Sequence, residues 1–223
     1  MTRVLWAVAV AAATALPLQA QSWSAGAAVG PFIFGDMAER TTAIGTETGS
    51  GTTRSRLSAA TRAGTTVDLT HDLNRRFAVG LEANWVRAPL RIKSSSGDTG
   101  VTFDAGHVSL TTFVVPLELR LNPNGTFRFH IMAGPAYALY NVHGRGAAGQ
   151  TFSLFDGTRG RWGGAAGAGV VWWWSRRFGV EWQAQDIITA SPFRAGDLAP
   201  SPKGVHIPKP QNGHTTIGIR VRF

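Results

Sequence analysis

Along most of this sequence apolar residues alternate with small or polar ones, in segments of about ten. A period of two leaves little besides β-strands as the local structure. The last ten residues are the cleanest case: Thr215, Ile217, Ile219, Val221 and Phe223 make one face, and His214, Thr216, Gly218, Arg220 and Arg222 make the other. The same split recurs in 77–85, 112–121, 127–139, 162–174 and 178–185, and more weakly in Trp23 to Phe34 and in Gly64 to His71, where Asp68 falls on the polar face. Eight strands are therefore expected. Tight connections are expected at Asp72 to Arg76, Asn122 to Gly125 and Ser175 to Arg177, and long ones at roughly 35–62, 87–106, 142–160 and 191–212, rich in Gly, Ser, Thr and Pro. The 28-residue first loop has room for an extra hairpin.

Short and long connections in strict alternation are the mark of an up-and-down barrel that crosses a membrane. A soluble meander has no reason to keep such an asymmetry. The aromatic residues follow the same plan. Phe77, Phe127, Trp174, Phe178 and Phe223 lie on the apolar face beside short turns or the C-terminus, and Trp85, Tyr137 and Trp162 lie on it near the long loops. At about 3.3 Å per residue and a strand tilt near 40°, the two sets stand roughly 20–30 Å apart, the height of a lipid band between aromatic girdles. The fold expected is all-β: a transmembrane antiparallel up-and-down β-barrel, most simply of eight strands.

Arg3, the uncharged apolar stretch Val4 to Leu16, Pro17 and the small residue Ala20 have the layout of a signal peptide. Thirteen apolar residues are too few to span a bilayer as a helix, which takes about 20. Cleavage after Ala20 is expected, leaving residues 21–223 as one barrel domain in the outer membrane. Charged residues make up only 16% and apolar residues 43%, too apolar for a disordered chain and too lightly charged for an ordinary soluble surface. The absence of cysteine excludes disulfides, a Cys-ligated metal, a Cys nucleophile and a lipoprotein anchor. The net charge of +9 comes from arginines scattered along the chain, without the basic helix or run that nucleic-acid binding would need.

An eight-stranded barrel is just wide enough to be filled by side chains. Its inward set holds the acids Asp68, Glu82, Glu118 and Glu181 and the bases Arg120, Arg128, Arg220 and Arg222. Unpaired charges there would be costly, so a network of Arg–carboxylate pairs is expected, as structural filling or as a gate over a narrow pore for ions or small solutes. The strand lined by Gly163, Ala165, Gly167 and Gly169 leaves space for large side chains from its neighbours. The one cluster suggesting catalysis is Asp104, His107 and Ser109, as in a lipid A-modifying barrel enzyme. A deacylase would carry His-x-Ser near the end of its seventh strand, where this chain reads Gln185-Asp186-Ile187-Ile188-Thr189. No enzyme activity is therefore expected, nor a cofactor, and no metal, because His143, His206 and His214 have no ligand-like spacing. The proline-rich stretch around Pro200, Pro202, Pro208 and Pro210 reads as a stiff exposed loop.

Val115-Pro116-Leu117-Glu118-Leu119-Arg120, a short turn, and then Phe127 to Tyr140 with Ala133-Gly134-Pro135 inside resemble the central hairpin of the outer-membrane protein β-barrel domain family, the small OmpA/OmpX-type barrels of bacteria. Gly163 to Trp174, the Arg176-Arg177 turn and Phe178-Gly179-Val180-Glu181 are similar to its next hairpin. Ile217, Ile219, Val221 and Phe223 resemble the C-terminal signal read by the barrel assembly machinery. The resemblance covers about 63–223 and implies fold and location. It leaves function open, because the family includes adhesion, defence and pore proteins. A monomer in contact with outer-membrane lipid and lipopolysaccharide, with a structural or loop-mediated binding role, is the expectation carried forward.

Overall fold

A computed structural model describes residues 23–46, 49–96, 99–144, 156–194, 197 and 204–223; the candidate signal peptide lies outside the described residues, as do Pro200 and Pro202. The chain forms β1 (Trp23–Phe34), β2 (Asp36–Thr46), β3 (Gly49–Ala59), β4 (Arg62–Asp72), β5 (Phe77–Ser96), β6 (Thr99–Val114), β7 (Leu117–Arg120), β8 (Phe127–Gly144), β9 (Gly157–Trp173), β10 (Phe178–Thr189), β11 (Val205–His206) and β12 (Gln211–Arg222). Eight staves close into a ring: β1, β4, β5, β6 with β7, β8, β9, β10 and β12, every neighbour antiparallel. The final strand seals the ring against the first, from Ser24↔Arg222 to Phe34↔Asn212, so the barrel has no open edge. Val115 and Pro116 split one stave into β6 and β7, because proline lacks the N–H a ladder needs. The wall stays shut there: Gly80 N–H donates to Pro116 O (2.9 Å) and Val115 N–H to Pro135 O (3.1 Å).

The three tight turns fall where the sequence places them, and their residues show why. Asn74 Oδ1 accepts from the N–H groups of Arg76 (2.8 Å) and Phe77 (2.9 Å), and Ser175 Oγ accepts from those of Arg177 (3.2 Å) and Phe178 (2.9 Å). Side-chain oxygens of Asn and Ser close a turn on its own backbone in this way.

The long connections differ from the expectation. Residues 87–96 and 99–106 are strand, not loop, and β5 and β6 run on as a hairpin beyond the ring. The first loop does hold the extra hairpin: β2 and β3 pair with each other, and β3 lies along the top of β5 from Ala59↔Leu90 to Thr53↔Ser96. In the fourth loop, β11 adds two residues to the outer side of β2. β8 also extends to Gly144 and β9 starts at Gly157, so the third connection is shorter than expected.

The reason is an inversion of the strand pattern within β5. Up to Trp85, the outward residues are apolar (Leu81 and Trp85 are both more than half exposed) and the inward ones polar (Glu82, Asn84). Beyond it, Val86, Ala88, Leu90 and Ile92 point inward and are buried, while Arg87, Arg91 and Lys93 point outward and are exposed. A strand leaving lipid for water must exchange its faces in this way. Serine, threonine and glycine in the same stretch imitate loop composition. A β-bulge turns the extension: Leu90 pairs with Gly106 but Arg91 with Asp104, leaving Ala105 unmatched. Gly106 takes φ 112°, a left-handed conformation open to glycine, and donates its N–H to Asp104 Oδ1 (2.9 Å).

Candidate functional site: a filled barrel interior

Small inward residues make room for the charged ones. A Cβ on Gly26 would lie 2.1 Å from Asp68 Oδ1, and one on Gly169 would lie 2.6 Å from His130 Nε2. Into that space β12 projects Arg220, which is 4% exposed. Its Nε–H donates to Glu181 Oε2 (2.8 Å), its Nη2–H to Asp68 Oδ2 (2.8 Å) and its Nη1–H to Thr70 Oγ1 (3.3 Å), while Nη1 stands 3.8 Å from Glu118 Oε1. One guanidinium thus serves three carboxylates from three other staves. Below it, Arg120 bonds Asp72 Oδ1 (2.5 Å) and stands 3.9 Å from Glu118 Oε2. His130 Nε2 lies 3.6 Å from Glu181 Oε1.

Five of the eight expected network residues therefore meet: Asp68, Glu118, Arg120, Glu181 and Arg220. Glu82 is held differently, by the amide donors of Asn84 (2.7 Å) and Gln183 (2.9 Å), with Asn84 bonded in turn to Thr66 (2.6 Å) and Thr112 (3.1 Å). Arg128 and Arg222 stack over Trp173 at the mouth beside the short turns, their guanidinium carbons 5.9 and 4.2 Å from its ring centre. Asp72, His130 and Trp173 are members that the sequence reading missed. Asp72 has the inward parity of Asp68 and Thr70, but its place next to the Asn74 turn gives it the look of a turn residue.

Above the polar layers the interior turns apolar. Phe32, Leu57, Leu90, Ile92, Tyr140 and Phe193 form part of one buried cluster, which the β2–β3 hairpin and the 191–194 segment close from outside. Ser191 Oγ–H donates to Met37 O (2.7 Å), fastening that segment to the hairpin. Tyr140 sits at the polar boundary, its hydroxyl shared with Thr189 Oγ1 (2.7 Å) and Asn212 Nδ2 (2.9 Å). A void of about 10 Å³ beside the Arg220 cluster, bounded by Ser24, Arg128 and Val171 among others, has room for one water.

The outer wall carries the expected aromatic edges. Phe127, Trp172, Trp174 and Phe178 form a chain of rings with centroids 6.1–6.4 Å apart beside the short turns, and Tyr137 and Trp162 (4.8 Å) meet near the other end. Between them Val29, Val67, Leu81, Ile131, Ile217 and Ile219 are about half exposed, a continuous apolar band that water would not tolerate.

The suspected catalytic residues do not assemble in a pocket. His107 points outward against His143 (ring centroids 4.7 Å apart), with Arg87 Nη2 2.8 Å from its Nε2. Asp104 binds the bulge amide, and Ser109 lies on the outer wall opposite Arg87 and Asn141. His143 Nδ1 stands 3.2 Å from Asp156, His206 lies in β11, and His214 stacks inside on Phe32 (4.6 Å). Among the described residues, no group of three His, Asp or Glu side chains stands ready for a metal ion.

No family model matches the chain, and no curated protein does. Among solved structures it is similar to the outer membrane protein OprG from Pseudomonas aeruginosa, at 13% identity and a TM-score of 0.61, over 92% of this chain and 97% of that one. It is also similar to the outer membrane protease OmpT from Escherichia coli, at 11% identity and a TM-score of 0.52, over 95% of this chain and all of that one. At such identities the likeness is one of fold: this chain has the antiparallel up-and-down fold of outer-membrane barrels.

Proposed function

We propose that this chain is an integral outer-membrane barrel, exported by way of a cleaved signal peptide, that is closed along its axis and acts through its β-extension and loops as a structural or binding protein. The supporting observation is the interior itself. The Arg220 cluster fills the half near the short turns, and the apolar cluster around Tyr140 fills the other half beneath the β2–β3 hairpin. The two layers together support a barrel that is closed at rest. No enzyme activity is proposed, since Asp104, His107 and Ser109 lack a shared pocket. The names of the similar structures do not choose a role, because one fold carries many functions.

A second reading, a gated pore, draws on one feature. Glu118 lies almost midway between Arg120 (3.9 Å) and Arg220 (3.8 Å), a geometry suited to partner exchange. Single-channel recording of the refolded barrel in a planar bilayer separates the two. Insertion is verified by the mobility shift between unheated and boiled gel samples. The expected result is insertion without conductance. Discrete openings that change in Glu118→Gln would replace the closed-barrel reading with the pore.

A further inference from the structure

The apolar band of the outer wall is broken on β10 by a carboxylate. Gln185 and Ile187 point inward and are buried, so Asp186 between them faces outward, in line with Trp182 and Ile188, which are about half exposed. At about 3.3 Å per residue and a tilt near 40°, Asp186 stands roughly 20 Å above Phe178, inside a band about 25 Å tall. Among the described residues Asp186 makes no ion pair and no hydrogen bond. A carboxylate facing hydrocarbon is costly until a cation meets it, and ionisable residues at membrane depth mark binding sites. In front of it the wall is hollow. Ala166 and Gly213 lie opposite Asp186 on the two neighbouring strands, and Ile33 lies opposite Gly213. With Pro31, Ala184 and Thr215 they line a groove of about 420 Å³. Packing does not demand residues this small. A Cβ on Gly213 would meet nothing nearer than Gln185 O at 4.0 Å, and one on the outward Gly164 nothing nearer than Gly134 O at 3.8 Å, whereas one on the inward Gly167 would lie 2.6 Å from Ala184 O.

We propose that this groove binds a cationic amphiphile from the surrounding leaflet, its ammonium group on the Asp186 carboxylate and its alkyl chain against Ala166, Ala184 and Ile33. This rests on the membrane reading given above. Charge and depth together select the occupant. A neutral chain would fill the hollow but leave the carboxylate unpaired. A small hydrated cation would have to shed its water to reach a carboxylate inside the apolar band. A molecule with an ammonium at the head of an alkyl chain meets both demands, and its N–H groups make charge-assisted hydrogen bonds to Asp186. A second copy of the chain fits poorly, because a two-fold contact through this face sets one Asp186 against the other.

The test compares the full-length mature barrel with Asp186→Asn and Ala184→Phe, both substitutions on the lipid-facing wall. Each protein is reconstituted in zwitterionic phospholipid vesicles, and insertion is checked by heat-modifiability. The probes are a long-chain alkylamine with a nitroxide on its chain and the matching alcohol, and electron spin resonance reads the fraction of each that the protein immobilises. Wild type is expected to hold the amine about tenfold more tightly than the alcohol, and Asp186→Asn to hold the two alike. Ala184→Phe keeps the carboxylate but fills the groove, and should lose the amine to a similar degree. An amine held equally by wild type and Asp186→Asn overturns the proposal. An amine held by Ala184→Phe as by wild type shows a bare charge without a groove, and overturns it too. Self-association of the wild type that Ala184→Phe abolishes, with no preference for the amine, makes the occupant a second copy and overturns the amphiphile. A wild-type barrel that does not insert overturns the membrane reading, and the groove falls with it; insertion without preference for the amine overturns the groove alone.

Discussion

At the scale of the residue, Arg220 has the largest expected effect. Its guanidinium bonds two carboxylates at 2.8 Å and stands near a third, all away from water. Removing one partner of a buried ionic cluster leaves the others uncompensated, at a cost of about 3–5 kcal/mol. Arg220→Met should therefore unfold in urea at clearly lower midpoint, and adding Glu181→Gln should recover part of the loss by removing one orphaned charge. No recovery would mean that the cluster does not behave as a unit. Arg220→Lys should be an incomplete substitute, because a point charge on a flexible stem cannot reproduce the forked bonds to Glu181 and Asp68. The existence of inward acids and bases was legible from parity alone. Which of them meet was not. Arg128 and Arg222 share that parity with Arg220 and yet stack on Trp173.

At the scale of the element, the β-extension depends on its bulge and on its cover. A side chain on Gly106 would be forced into φ 112°, so Gly106→Val should cost about 1–3 kcal/mol, read as a lower thermal midpoint. Excising residues 36–59 and joining Gly35 to Ala60 should strip the cover from Leu90 and Ile92, both buried against the hairpin. The shortened protein is expected to insert and remain heat-modifiable, since the ring below keeps its closed ladder, but to bind a hydrophobic dye strongly. Loss of insertion would show that the hairpin is needed for barrel formation itself. The extension looks like loop in the sequence because its period of two continues with the faces exchanged. An alternation scored for one outward polarity ends at Trp85, while the strand continues to Ser96.

At the scale of the whole molecule, the outer end is tied by ion pairs that the barrel wall does not share. Arg159 bonds Asp197 (Nη2 to Oδ1, 2.9 Å), and Arg54 bonds Glu39. In each case the arginine's hydrogen bond holds the carboxyl below its ordinary value. A depressed carboxyl contributes stability above its unfolded pKa and loses it as pH falls through the folded one. Acid below about pH 4 should thus loosen the outer end first. Hydrogen exchange read by mass spectrometry, corrected for intrinsic rates, should show 39–41 and 191–194 losing protection on acidification while the apolar band stays protected. Uniform loss along the strands would contradict this division.

Sequence alone determined the strands of the membrane zone, their inward and outward faces, the tight turns and the ring of eight. Each rests on a local rule: alternation on a pleated strand, and side-chain oxygens closing a turn. Tertiary structure decided how the interior is filled and how the outer end is built. The partners of Arg220 come from β4, β7 and β10, distant in sequence and adjacent only after the ring closes. Phe193 becomes core because Met37 and Leu57 of the β2–β3 hairpin share its buried cluster. Its surrounding sequence carries no period that marks it as buried, since contact between distant segments leaves no trace in the order of residues.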